Sequence, residues 1–75
     1  MRNAAIALGN QPSAEGLKSL SIGINDNEPL VRGASAWAIG RHKSFGGWEV
    51  LEKRKSIETD VDVLREIEIA MSPHD

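Results

Sequence analysis

Apolar residues recur along this chain at spacings of three and four, the period of helices, and one phrase is written twice. Arg2-Asn3-Ala4-Ala5-Ile6-Ala7-Leu8-Gly9 returns loosely, 31 positions later, as Gly33-Ala34-Ser35-Ala36-Trp37-Ala38-Ile39-Gly40. A third, degraded copy ends at Ala70-Met71-Ser72, in register with Ala38-Ile39-Gly40. Small residues, a large apolar pair and then glycine suit a closely packed helix just before it stops. Repetition at this period predicts stacked helix pairs, an architecture that works through its surface and not through a buried active site.

The pattern predicts five helices. The first runs over Arg2 to Leu8, with Ala4, Ala7 and Leu8 on one face and Gly9-Asn10 as its stop. The second begins at Gln11-Pro12-Ser13, with Pro12 in its first turn and Leu17, Leu20 and Ile24 as its stripe, weakened by Gly16 and Gly23. Asn25-Asp26-Asn27-Glu28 is a turn and cap. Pro29 opens the third helix, whose expected inner face is Val31, Ala34, Ser35, Ala38 and Ile39. Ser44-Phe45-Gly46-Gly47 reads as a loose, flexible loop. Trp48, Val50, Leu51 and Ile57 mark a fourth helix. Asp60 caps a fifth, carried by Val63, Ile67, Ala70 and Met71 and ended by Pro73.

The expected fold is therefore all-α, an α-solenoid of about two and a half helix hairpins in the order B, A-B, A-B. Residues 1–75 form a single domain in this reading. The first helix lacks both a cap and its partner, so the chain reads as a fragment of a longer protein. Ala4 and Leu8 would then be left partly uncovered and able to drive self-association.

Composition narrows the chemistry. The chain has 75 residues and no cysteine, which removes disulfides, thiolate nucleophiles and thiolate metal sites together. A chain of this size buries only about 60% of its unfolded surface, so its stability is marginal. No apolar run reaches the ~20 residues of a membrane span and no signal-peptide pattern opens the chain, so the expected compartment is the cytosol. Net charge is −2, but its distribution is uneven. Residues 1–43 carry five Lys/Arg against three Asp/Glu, whereas residues 44–75 carry four against eight. A basic surface has to come from the first half or from Lys53-Arg54-Lys55.

Asp26-Asn27-Glu28-Pro29-Leu30-Val31-Arg32, followed by the alanine-rich stretch and Gly40, resembles the D-x-x-P-x-V-R…A…A-L-G pattern of HEAT-like repeats. Two phrases together carry a closer likeness. Residues 2–10 and 31–41 look like the C-terminal HEAT-type region of bacterial epoxyqueuosine reductases, and Val63-Leu64-Arg65-Glu66-Ile67-Glu68-Ile69-Ala70-Met71 fits that region's tail. One departure is Ala34, where the family's R-G-H-A-A-W phrase has His. The resemblance implies a parent oxidoreductase that uses cobalamin and two [4Fe-4S] clusters to reduce epoxyqueuosine in the wobble position of tRNA. The cluster cysteines belong to the preceding part of such an enzyme, so the resemblance places the chemistry outside this chain. It implies a non-catalytic module that helps hold the tRNA anticodon stem-loop against an upstream catalytic domain.

The candidate contacts are Arg2, Asn3, Asn10, Arg32, Arg41 and Lys43. Arg32 either pairs with a phosphate or bonds to Asp26 or Glu28 and locks the repeat, the commoner use of such a residue. Arg2 and Asn3 occupy the matching zone one repeat earlier, as phosphate or ribose contacts or as solvated surface. Arg41-His42-Lys43 follows a helix C-terminus, where complementing the dipole is a sufficient role and touching a nucleic-acid backbone is an additional one. Lys53-Arg54-Lys55 pairs with Glu49, Glu52 and Glu58 or meets a strand. Trp37 stacks on a base or fills a packing slot, and its counterpart Ile6 favours the slot. Phe45 and Trp48 form a lip or anchor their loop. No catalytic set emerges: His42 and His74 lack partners at ligand spacing, and Glu66 and Glu68 point to different helix faces. The rival reading is a protein-interaction scaffold or a purely structural repeat, in which Ile6, Leu30 and Trp37 matter more than the arginines.

Overall fold

The computed structural model describes residues 12–72. Among these residues the chain is all helical, without a strand. Helix α1 spans Ala14–Gly23, α2 Pro29–Gly40, α3 Gly47–Lys55 and α4 Val61–Met71, with a 3-10 turn at Lys43–Phe45. The expected helix over residues 2–8, its Gly9-Asn10 stop and the Pro73 terminator lie outside the described residues.

Local chemistry sets each start. Ser13 is the N-cap of α1, and its Oγ accepts the Gly16 N–H at 2.9 Å. Pro12 consequently stands before the helix, not in its first turn as the sequence suggested, because the serine side chain supplies the cap that proline lacks. Asp26 Oδ1 accepts the Glu28 N–H at 2.9 Å and closes the turn that leads into Pro29, the first residue of α2. Asp60 caps α4 as expected, taking the Asp62 and Val63 N–H groups at 2.9 and 3.1 Å.

The segment expected to be a loose loop is instead a tight junction. Gly46 has φ +95°, a left-handed conformation that a Cβ would strain. A Cβ on Gly47 would lie 2.5 Å from the Ile39 carbonyl oxygen and 2.8 Å from that of His42, so α3 starts against the backbone that ends α2. Helix α3 stops at Lys55, which leaves Ile57 beyond it and exposed.

Leu17 and Leu20 from α1 with its C-cap Ile24, Ala36, Ala38 and Ile39 from α2, Leu51 from α3, and Val63 and Ile67 from α4 make the core. Helix α2 is central, and this rotates its buried face from the expected one. Val31 and Ala34 are only half-buried, while Arg32 and Ala36 are buried. A helix flanked by neighbours on several sides buries more than one stripe, so a single-stripe reading misplaces its residues.

Helices α2 and α4 run parallel. Gly33 faces Glu66, and a Cβ on Gly40 would lie 2.9 Å from Ala70 Cβ. The degraded third copy, 32 positions after Ala38-Ile39-Gly40, thus ends a helix that lies beside α2 in the same direction, with α3 as the return between them.

Candidate functional site

Two polar assemblies stand out. The first is internal and centres on Glu58, in the link between α3 and α4. Its side chain is fully buried. Oε1 accepts Arg32 Nε at 2.9 Å and Arg54 Nε at 3.0 Å, and Oε2 accepts Arg32 Nη2 at 3.0 Å. Oε2 also takes the backbone N–H of Thr59 at 3.2 Å and of Asp60 at 3.0 Å. Burial alone would raise the Glu58 pKa. Hydrogen bonds from Arg32, the Asp60 N–H and Arg54, together with the Arg32 charge, outweigh that and hold the carboxyl at about 2, against an ordinary 4.5.

Arg32 spends its remaining reach on the carbonyls of Asp26 and Asn27, at 2.8 and 3.1 Å. It therefore ties the turn before α2 to the link before α4. The expected bond to Asp26 is made, through its backbone carbonyl, and the lock is completed by the Glu58 carboxylate, 26 residues away. Arg54 adds α3 to the same knot and reaches Asn25 Oδ1 at 3.0 Å. Of the Lys53-Arg54-Lys55 cluster, only Arg54 is drawn inward; both lysines stay exposed.

His42 is fully buried, not a surface cation at a helix end. Its Nδ1 lies 2.9 Å from the Ala38 carbonyl oxygen, which makes Nδ1–H the donor, and Nε2 has no partner among the described residues. Phe45 tilts against its ring at 6.2 Å and 57°. Phe45 therefore anchors the 3-10 turn while remaining half-exposed.

The second assembly is external, a groove where α2 and α4 lie side by side. One stretch of about 570 Å³ is lined by Leu30, Ala34, Trp37, Val63 and Glu66, with Asp60 and Asp62 at its rim. A further stretch of about 420 Å³ continues past Trp37 and Glu66 to Arg41, Lys43 and Ile69. Acidic groups therefore stand at the N-terminal end of α4 and cations at the C-terminal end of α2. The Arg41 guanidinium lies over the Trp37 ring, 6.0 Å from its centroid. Lys43 Nζ donates to the Ser72 carbonyl at 3.0 Å and bridges the ends of α2 and α4.

Of the residues that the sequence nominates, Arg41 and Lys43 are brought together at this groove. Arg32 is placed in the interior. Arg2, Asn3 and Asn10 lie outside the described residues. Trp37 is 36% exposed and lines the groove, so it does not fill a closed packing slot. The sequence does not mark Glu58 or Glu66 as site residues, although Glu58 stands four residues after Arg54, the spacing of a helical ion pair.

A [4Fe-4S] cluster does not fit the donor set, since the chain has no cysteine. Among the described residues, no three His, Asp or Glu side chains converge as metal ligands. No helix among them is long and apolar enough to cross a membrane.

No protein-family model and no solved structure matches the chain. Known sequences do. The chain is 38% identical over 68 residues to the epoxyqueuosine reductase of Bacillus cereus, across 88% of this chain and 18% of that relative. The epoxyqueuosine reductase of Bacillus subtilis is likewise 38% identical over 68 residues, across 89% of this chain and 18% of its own length. The chain is thus similar to one stretch of an epoxyqueuosine reductase, and spans about a fifth of the length of these relatives.

Proposed function

We propose that this chain is a HEAT-like, non-catalytic module that helps hold tRNA in an epoxyqueuosine reductase-like enzyme. The observation that carries the reading is the similarity of nearly the whole chain to one stretch of such reductases. The parallel pair α2 and α4, with α3 as the return between them, supports stacked hairpins. Cobalamin and the iron–sulfur clusters would belong to the parent's upstream domain, where the reduction would occur. Within this chain, Arg41 and Lys43 supply the phosphate-facing charge. Arg2, Asn3 and Asn10 would extend that zone, and Arg32 would hold the repeat in shape.

The test is a titration with a tRNA anticodon stem-loop at two salt concentrations, comparing the chain with its Arg41→Glu/Lys43→Glu variant. Arg32 is left unchanged, because a glutamate there would set a second carboxylate beside Glu58 and unfold the module. Binding that weakens with salt and is lost in the variant supports the reading. Absence of binding at low salt removes an autonomous tRNA site.

Exposed apolar residues favour a second reading, a protein-interaction or structural scaffold. Leu30 is 79% exposed beside the groove, and Val61 is 70% exposed just before Asp62. That reading predicts that Leu30→Ser weakens docking to the parent domain while charge reversal at Arg41 does not.

A further inference from the structure

The geometry points to the α2–α4 groove as a binding site for one unpaired, guanine-bearing nucleotide of an RNA loop. The base would lie against Trp37, with its phosphate on Arg41 and Lys43. This inference rests on the tRNA-binding reading and goes further by naming the group that is bound and how it is told apart.

Three features converge. Trp37 is the aromatic side chain at the middle of the groove, where it lines both stretches. The indole, 36% exposed, becomes a stacking platform for a base when Arg41 swings from its ring to a phosphate. Beside it, Arg41 lies over the ring and makes no ion pair among the described residues, and Lys43 keeps donors beyond its single bond to the Ser72 carbonyl. Two cations next to an indole suit a nucleotide's phosphate and base together.

The acidic end sets the limit and the selectivity. Asp60 and Asp62 rim the far stretch, so a phosphate backbone cannot run along the whole groove. The strand can approach only from the Arg41 and Lys43 end, which suits a single extruded nucleotide. Glu66, like Trp37, lines both stretches. A carboxylate only accepts hydrogen bonds, and guanine alone presents two adjacent donors, N1–H and N2–H, on its pairing edge. Adenine, cytosine and uracil each set an acceptor beside their donor there, which a carboxylate repels. A guanine stacked on Trp37 can turn that edge toward Glu66.

The test uses the full 75-residue chain carrying Trp48→Phe, so that Trp37 alone reports by fluorescence. The probes are two RNA hairpins with the same stem, one with an all-uridine loop and one with a single guanosine in that loop. The guanosine loop should bind about tenfold more tightly, the size of one matched base-edge contact, and should shift the Trp37 emission. Trp37→Leu should weaken it by about tenfold, read by anisotropy of labelled RNA. Glu66→Gln should remove the preference for guanosine, while the loss of one negative charge beside Arg41 and Lys43 tightens the uridine loop slightly. Thermal melts of both variants establish that they fold. Salt-sensitive binding without guanosine preference, indifferent to Trp37→Leu, overturns this inference and leaves the tRNA reading standing. No binding of either hairpin at low salt overturns both.

Discussion

Glu58 and Arg32 form a buried, two-point ion pair across 26 residues, Nε to Oε1 at 2.9 Å and Nη2 to Oε2 at 3.0 Å. Because Arg32 also holds the carbonyls before α2, and Glu58 the N–H groups before α4, the pair fixes the two parallel helices at their N-terminal ends. The groove is built on that relationship, so the residue selected as a phosphate contact acts by positioning those that face solvent.

Removing Glu58 should therefore be severe. Glu58→Ala leaves the Arg32 guanidinium buried without its counter-charge, a change that costs about 3–5 kcal/mol. A domain this small has only about 5 kcal/mol of stability in total, so urea unfolding should find the variant largely unfolded at 37 °C. Glu58→Gln, which keeps the shape and an acceptor oxygen, should fall between the two. A destabilisation under about 1 kcal/mol for Glu58→Ala would mean that the pair contributes little.

The same carboxyl makes stability depend on pH in a defined window. Its folded pKa, about 2, lies below the ordinary 4.5. A depressed carboxylate pKa stabilises the fold fully above the unfolded value, and that stabilisation drains away as pH falls toward the folded one. The chain should hold its stability down to about pH 5 and lose roughly 3 kcal/mol between there and pH 2. Glu58→Gln should flatten this window in a series of urea titrations, and an equally steep fall in that variant would assign it to other carboxylates.

Two glycines should respond to alanine with opposite signs. A Cβ on Gly33 meets only Glu66 Cγ at 3.7 Å, an ordinary contact, so Gly33→Ala should stabilise α2 by about 0.5–1 kcal/mol. A Cβ on Gly47 would press on the carbonyl oxygens of Ile39 and His42, which are backbone and cannot swing aside. Gly47→Ala should cost at least about 2 kcal/mol. Thermal melts of the pair check the claim, and equal shifts would remove the close approach of α2 and α3 as a constraint.

The helices were legible because caps and stripes are local. Asp60, Pro29 and the run Leu17, Leu20, Ile24 can be read from their neighbours alone. What escaped is relational. His42 sits between two cations in sequence and reads as one of them, yet it closes the core once α3 folds back against the end of α2. Glu58 reads as a partner of the Lys53-Arg54-Lys55 cluster, and Arg54 does pair with it, but nothing local marks the longer reach from Arg32. The groove carries no sequence signal of its own, since Trp37 and Glu66 meet only when α2 and α4 lie parallel, and the repeat hinted at that without stating the register.

Where nucleic acid meets the module can be tested by moving the charge. Arg41 and Lys43 stand at the C-terminal end of α2, whereas Lys53 and Lys55 are exposed on the last turn of α3. Each phosphate that a cation ceases to neutralise should lower the salt slope of binding by about 0.7–0.9. Arg41→Glu/Lys43→Glu should thus reduce the slope for an RNA stem-loop by about 1.5, with weaker binding at every salt concentration. Lys53→Glu/Lys55→Glu makes the same change in net charge on another surface and should leave the slope nearly unaltered. Equal reductions in both variants would mean that RNA responds only to overall charge. A larger reduction at Lys53 and Lys55 would move the interface to α3 and leave the groove to another partner.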